Sequence, residues 1–324
     1  MRLRWIRVAI GGCAVHDSIT LSHCRLVFAA ERAGHLPEWL GSAWRGMLGH
    51  ALKRAVCTTG LPECAPCQLI NLCPYPAIYE ARPPLEPHIL RRYPQAPGPF
   101  VLRTSPGGEI NPGDRLSVDV LMFGKHTADL PLIVRALILG GREGIGASRI
   151  PLRLEEMWAV DGSGQCKPTN LDRLDREPLV YPPEPAPTPA GCAAQIEFCS
   201  PLRLRIKNQY LTPTSLRFRD FFSGLLRRYS AMCALYGSGE PDLKFRQLVE
   251  SSESVRLRPV HLVMHDLARQ SSRQRKTIPM GGLVGRVEVS GPELNSVWPL
   301  LWIGQWLHVG KGVNMGLGQY RLHY

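Results

Sequence analysis

Four cysteines crowd into seventeen consecutive positions in "CTTGLPECAPCQLINLCPYP": Cys57, Cys64, Cys67 and Cys73, spaced C-x6-C-x2-C-x5-C. The central Cys-x-x-Cys is a bidentate clamp, and Gly60, Pro62 and Pro66 supply the turns a knuckle needs. Four thiolates at such distances can surround one tetrahedral zinc ion. A proline directly after the last cysteine also occurs in iron–sulfur proteins, so a cluster is the alternative. Either group would be structural, because four thiolates leave no open coordination position.

A second chemical signal closes the chain, "HVGKGVNMGLGQYRLHY", with Gly310, Gly312, Gly316 and Gly318 falling within nine positions. Glycines let a backbone approach a ligand closely and turn successive N–H groups outward, a nest suited to phosphate. Lys311 adds a charge, and Asn314 adds a polar side chain. The alternative is a tight turn demanded by packing. His308 stands just before the loop, where it can reach the same ligand or cap the end of the preceding helix.

The net charge of +12 across 324 residues, mostly from arginine, points to a polyanionic partner. Guanidinium groups bond phosphates in two places and stack on bases. Membrane is disfavoured as that partner: no apolar run approaches the roughly 18–20 residues of a spanning helix. The start, "MRLRWIRVAIGGCAV", imitates a leader peptide, but arginine and glycine interrupt it and no convincing cleavage site follows. It is read as mature protein of the cytoplasm, where thiols stay reduced.

Positioning these groups requires two similar halves. "EPLVYPPEPAPTPAG" holds six prolines, which favour a stiff extended spacer. It divides the chain into residues 1–177, a linker at 178–190 and residues 191–324. In the first half "SHCRLVFAAE", "GPFVLRTS", "GDRLSVDVLMFG" and "RIPLRLEEMWAV" read as strands. "EWLGSAWRGMLGHALKRAVC" and "LPLIVRALILGG" have helical spacing. The second half repeats the order with strands in "AAQIEFCSPLRLRI", "VRLRPVHLVMHDL" and "GGLVGRVEVSG", helices in "SLRFRDFFSGLLRRYSAMCALYG" and "ELNSVWPLLWIGQWLHVG", then the glycine loop and a last strand. The expected fold class is α+β: two tandem ferredoxin-like (βαββαβ) domains, with a cysteine-rich metal-binding insertion at about residues 57–98 of the first. "LPLIVRALILGGREGIGASRIPLRL" and "WPLLWIGQWLHVGKGVNMGLGQYRL" can be laid over each other, the mark of a duplication.

The terminal "LHVGKGVNMGLGQYRL" resembles the glycine-rich signature of the RAMP superfamily, specifically the CRISPR precursor-RNA processing endoribonucleases. "GSAWRGMLGHALKRAVC", "SPLRLRIKNQYL" with "GLLRRYSAM", and "ARQSSRQRKTIPMGGLVGRV" resemble further parts of that family, so the likeness touches both halves. The resemblance implies an enzyme that binds CRISPR repeat RNA and cleaves precursor crRNA without a catalytic metal. The ribose 2′-OH would attack phosphorus, leaving a 2′,3′-cyclic phosphate and a 5′-hydroxyl. Such chemistry needs a base, a cation on the phosphorane and an acid. His50, on the first helix, is where the family commonly places a histidine; His308 and Lys311 are the other catalytic candidates. Candidate RNA contacts are Arg45 and Lys53 on the first helix, Arg227 and Arg228 on the long helix, and Arg269, Ser271, Ser272, Arg273, Gln274, Arg275 and Lys276 in the basic block. Gly310, Gly312, Asn314, Gly316 and Gly318 complete the set. Other readings are an inactive RAMP subunit holding crRNA beside other CRISPR effector subunits, or a metal-stapled nucleic-acid adaptor.

Overall fold

Alternating residues build the first sheet. In Leu21–Ala30, Cys24, Leu26 and Phe28 point to one face while His23, Arg25 and Val27 point to the other. The structure, a computed structural model, describes residues 9–10, 13–14, 19–81, 96–177, 179–180, 191–271 and 276–324. The chain divides into two compact units, Thr20–Tyr181 and Pro182–Tyr324, the second joined by the residues before Thr20.

The first unit runs β1 (Leu21–Ala30), β2 (Gly34–Trp39), α1 (Gly41–Val56), β3 (Phe100–Thr104), β4 (Pro106–Ile110), β5 (Arg115–Phe123), α2 (Leu130–Glu143), β6 (Leu152–Val160), β7 (Cys166–Pro168) and α3 (Leu171–Arg176). Its main sheet is ordered β3-β5-β1-β6-β7, with antiparallel neighbours throughout. Trp44, Leu48 and Leu52 recur every fourth residue on α1, and Ile133 and Leu137 on α2; these stripes meet Leu26 and Phe28 in one core. Each such side chain contributes about 1.5–3 kcal/mol by leaving water.

The second unit runs β8 (Ala193–Leu202), β9 (Arg205–Ile206), β10 (Gln209–Tyr210), α4 (Phe218–Tyr236), α5 (Phe245–Ser254), β11 (Arg256–His265), β12 (Ala268–Ser271), β13 (Lys276–Pro279), β14 (Gly282–Ser290), α6 (Leu294–Leu307) and β15 (Tyr320–His323). Its sheet is ordered β11-β14-β8-β15 and is antiparallel. Phe221 of α4 packs edge-on against Phe198 and Tyr320, which pair across β8 and β15. In each unit the first long strand lies between the third and fourth strands of its sheet, β5 and β6 in the first unit and β14 and β15 in the second, an order that two βαβ crossovers produce. None of the described helices is long and apolar enough to cross a membrane.

Several elements had no expectation attached. These are the two-stranded β2–β4 pair, the short β7 and α3, and α5, whose "FRQLVESSES" is short and polar, with Phe245, Leu248 and Val249 as its apolar residues. Of the linker positions 178–190, all but Leu179 and Val180 lie outside the described residues, as do residues 82–95 of the expected cysteine-rich insertion.

On the sheet face away from the helices, Arg25 donates to both oxygens of Asp119, at 2.6 and 3.1 Å, and His23 Nε2 lies 3.6 Å from Asp119. Burial alone would raise the Asp119 pKa, but contacts from His23 and Arg25 more than offset it and hold the carboxyl below its usual range. Burial lowers the His23 pKa, with Arg103 and Arg25 acting the same way against Asp119. The unfolded chain therefore takes up a proton that the fold excludes once pH falls below about 6.5, and stability declines. Asp119 adds its own loss only below about pH 4. Denaturant titrations should show His23→Gln flattening the decline between about pH 6.5 and 5, and Asp119→Asn costing about 2 kcal/mol at neutral pH. An unaltered pH slope in His23→Gln would remove His23 from this account.

Candidate nucleic-acid interface

The glycine loop is clasped by the end of β8. Ser200 donates through Oγ to the Gly316 carbonyl and accepts from Gln319 N–H, both at 2.8 Å. Gly318 N–H donates to Pro201 at 3.1 Å, and Lys311 N–H donates to the Arg203 carbonyl at 2.9 Å. Gly310 and Gly318 have positive φ, 96° and 71°, and a Cβ would stand 2.5 Å from Arg203 O and 1.8 Å from Val309 O respectively. Glycine is needed there because backbone meets backbone.

The expectation of a phosphate nest along the whole loop is thereby corrected. The N–H groups of Lys311 and of residues 315–319 are spent inside the unit. Among the described residues of the loop, the N–H groups of Gly310 and of the tip from Gly312 to Asn314 are not taken up by backbone acceptors. Lys311 is exposed and Asn314 half-buried, so the loop offers a cation and a short run of amides.

Beside the loop stands a group that the sequence reading missed. Strands β9 and β10 form a hairpin turned by Lys207 and Asn208, whose φ values of 46° and 67° suit a two-residue turn. Arg205, Lys207, Asn208, Gln209 and Tyr210 are all exposed. The Arg203 and Arg205 guanidinium carbons lie 4.9 and 5.2 Å from the Tyr210 ring centroid. Arg203 also donates to Tyr210 Oη at 3.1 Å and to the Pro279 carbonyl at 2.8 Å. One residue therefore ties the glycine loop, the Tyr210 hairpin and the stem of the β12–β13 hairpin together. The signal was present in "RLRIKNQY", where cations flank an aromatic residue.

His308 and Arg228 anchor the loop from beneath. His308 is fully buried with φ of 59°, and its Nδ1 lies 3.2 Å from the Leu317 carbonyl. Arg228 donates through Nε to the Leu307 carbonyl at 2.6 Å, and burial brings its pKa down to about 10. A cation there answers the partial negative charge of a helix C-terminus. His308 is enclosed and takes the helix-end position that was the alternative to ligand contact, while Arg228 is half-buried against the end of α6; Arg227 is exposed on α4.

Of the basic block, Ser272, Arg273, Gln274 and Arg275 lie outside the described residues. Arg269 and Ser271 pair with Ile278 and Lys276 through the backbone; the side chains of Arg269, Ser271 and Lys276 are likewise outside the described set.

The remaining candidates belong to the first unit. His50 is exposed on α1. Arg45 is committed to Tyr79, with Nη1 3.1 Å from Tyr79 Oη and the guanidinium 4.3 Å from the ring centroid. Lys53 donates to the Pro62 carbonyl at 2.7 Å. Both cations brace the segment that follows α1 instead of standing clear for a ligand. Gly49 permits this packing, since a Cβ there would lie 2.3 Å from Tyr79 Cζ.

Cys57, Cys64, Cys67 and Cys73 line one cavity of about 220 Å³, and none is in a disulfide. Their sulfurs are not drawn onto a common centre: among the described residues no group of three or more His, Cys, Asp or Glu side chains is close enough to hold a metal ion.

Residues 196–320 match the family model described as CRISPR-associated endoribonuclease Cas6, and residues 19–178 match one described as an N-terminal domain. An uncharacterized protein of Archaeoglobus fulgidus is 25% identical over 294 residues, covering 89% of this chain and 93% of the relative. A Cas6 product complex superposes with a TM-score of 0.56 at 16% identity, over 93% of this chain and 99% of that one. Thermus thermophilus Cas6 gives 0.52 at 16% identity, over 94% and 98%. A partial Cas6-RT-Cas1–Cas2 complex gives 0.58 at 14%, over 94% of this chain and 46% of that one. At these identities the structural likeness is one of fold.

Replacing Gly318 with alanine should cost about 3 kcal/mol or more in denaturant unfolding, from an unfavourable φ and a backbone clash. Lys311→Ala should stay within about 0.5 kcal/mol of the parent. Equal costs would mean that the loop is not held as described.

Proposed function

We propose that the chain belongs to the Cas6-type CRISPR endoribonuclease family of the RAMP superfamily, and that it binds CRISPR repeat RNA and cuts precursor crRNA. The observation that carries this reading is the convergence on Arg203 of Lys311, an exposed hairpin bearing Arg205, Lys207 and Tyr210, and the stem of a basic hairpin. Lysine and arginine neutralise phosphates, and an exposed tyrosine offers a face on which an unpaired base stacks. The sheet order of each unit, with its two crossovers, supports reading both as ferredoxin-like domains.

In the proposed chemistry the 2′-OH attacks the adjacent phosphorus, the 5′-oxygen leaves, and no metal takes part. The ribose proton passes to a base while the 5′-oxygen gains one. His50 is the general-base candidate because it is the exposed histidine of the first helix, and histidine is the side chain that most often serves as a general base. Lys311, in the second unit, is the candidate partner for the charge of the RNA backbone. His308 is left to hold the loop.

A second reading has its own support. With His308 buried, the loop of the second unit presents cations and amides but no exposed histidine among its described residues. A subunit that grips crRNA without cutting, alongside other CRISPR proteins, would need no more.

Incubating purified protein with repeat RNA in EDTA separates the two. Cleavage that survives chelation and disappears with a 2′-deoxy substitution supports the enzyme; tight binding without products supports the subunit. For the enzyme, His50→Ala should lower the single-turnover rate by about 10²-fold with little change in affinity, and an unchanged rate would exclude it as the base. Lys311→Ala and Arg205→Ala should each reduce the slope of log affinity against log salt by about 0.7. Tyr210→Ala should instead weaken binding by about tenfold at unchanged slope. Variants that bind like the parent would place the RNA elsewhere.

A further inference from the structure

Between α1 and the π-helical turn at Pro76–Glu80, residues 57–75 form turns without a strand or a regular helix of useful length. The segment has little core of its own: Leu61, Leu69 and Leu72 are 38%, 42% and 83% exposed. A stretch this short of buried apolar surface ordinarily depends on a cross-link or a metal for its shape. Its cysteines carry no disulfide.

What organises the segment is a common cavity. All four thiols line it, together with Thr59, Lys53 and Tyr75. Thr59 Oγ1 lies 3.8 Å from Cys57 Sγ and 3.6 Å from Cys67 Sγ, so these sulfurs flank a single hydroxyl. Cys67 N–H donates to the Cys64 carbonyl at 3.1 Å, closing the Cys64–Cys67 turn into a knuckle. Cys73 N–H donates to Leu69 at 2.9 Å and brings the fourth thiol back to the same wall.

We propose that Cys57, Cys64, Cys67 and Cys73 are the ligands of one structural zinc ion, independent of the RNA-binding reading. Sulfurs bound to zinc at about 2.3 Å stand about 3.8 Å apart, so binding contracts the cavity around the ion. The turns allow that movement: Gly60 has φ of 67° and open space around its Cβ position. The preference for zinc follows from an all-thiolate, four-ligand set with no other donor required. Four thiolates and a divalent ion leave a net charge of −2, and Lys53, at the cavity wall, offsets part of it. The ion would fasten the C-terminal end of α1 to the turn carrying Tyr79, which Arg45 and Gly49 receive.

Elemental analysis of the purified full-length chain should find about one zinc per protein. Titration with a mercurial in the presence of a zinc-sensing dye should release that zinc as four thiols react. The double variant Cys64→Ser with Cys67→Ser should lose it and melt at a lower temperature, while Cys199→Ser, outside the cavity, keeps it. If the double variant does not fold, the release experiment on the parent protein decides alone. Metal-free parent protein whose four thiols react at once would overturn the proposal. Iron with inorganic sulfide and absorbance near about 400 nm would overturn zinc in favour of a cluster.

Discussion

The second unit turns on Arg203. Its main chain receives the glycine loop and its guanidinium reaches both hairpins. The residue is only 9% exposed, so its charge is held in a poorly hydrated place, where bonds to a phenol and a carbonyl are worth more than they are in water. A buried arginine without a carboxylate partner among the described residues also leaves its positive potential uncancelled, which reinforces Arg205, Lys207 and Lys311 at the surface. Rigidity and charge come from the same side chain. Removing it would loosen three segments together.

The two halves show how one connection can serve two ends. In the first unit the turn after α2 is short: Ile145 and Ile150 bridge each other, and Gly144, with φ of 104°, lets Arg149 O approach to 2.3 Å of its Cβ position. In the second unit the equivalent connection after α6 is longer. Its glycines absorb the close approaches at its base, and the added length carries Lys311 and Asn314 outward. The two connections share a helix, a glycine turn and a strand; the extra residues of the second supply a surface.

The long strands and four principal helices were legible because each buries one face, and burial imposes a period of two or 3.6 on the sequence. The short α5, with Phe245, Leu248 and Val249 as its apolar residues, and the β2–β4 pair, whose strands lie far apart in sequence, offered too little pattern to read. The glycine loop was recognisable as a loop, but its hydrogen bonding was not: spacing alone does not say whether an N–H faces solvent or Pro201. His308 could have reached a ligand or capped a helix and Arg228 could have faced RNA, yet packing buries His308 against the Leu317 carbonyl and holds half-buried Arg228 on the Leu307 carbonyl at the end of α6. Tyr210 was overlooked because only the folded hairpin lays the Arg203 and Arg205 guanidinium groups against its ring. The cysteine spacing was plain from the start, and the shared cavity is what the structure adds to it.

The most direct measurement is photo-crosslinking of repeat RNA carrying 4-thiouridine, with adducts located by mass spectrometry. An RNA face organised by Arg203 predicts adducts in residues 205–210 and 311–315. Adducts that avoid both segments while the RNA is bound would contradict the account.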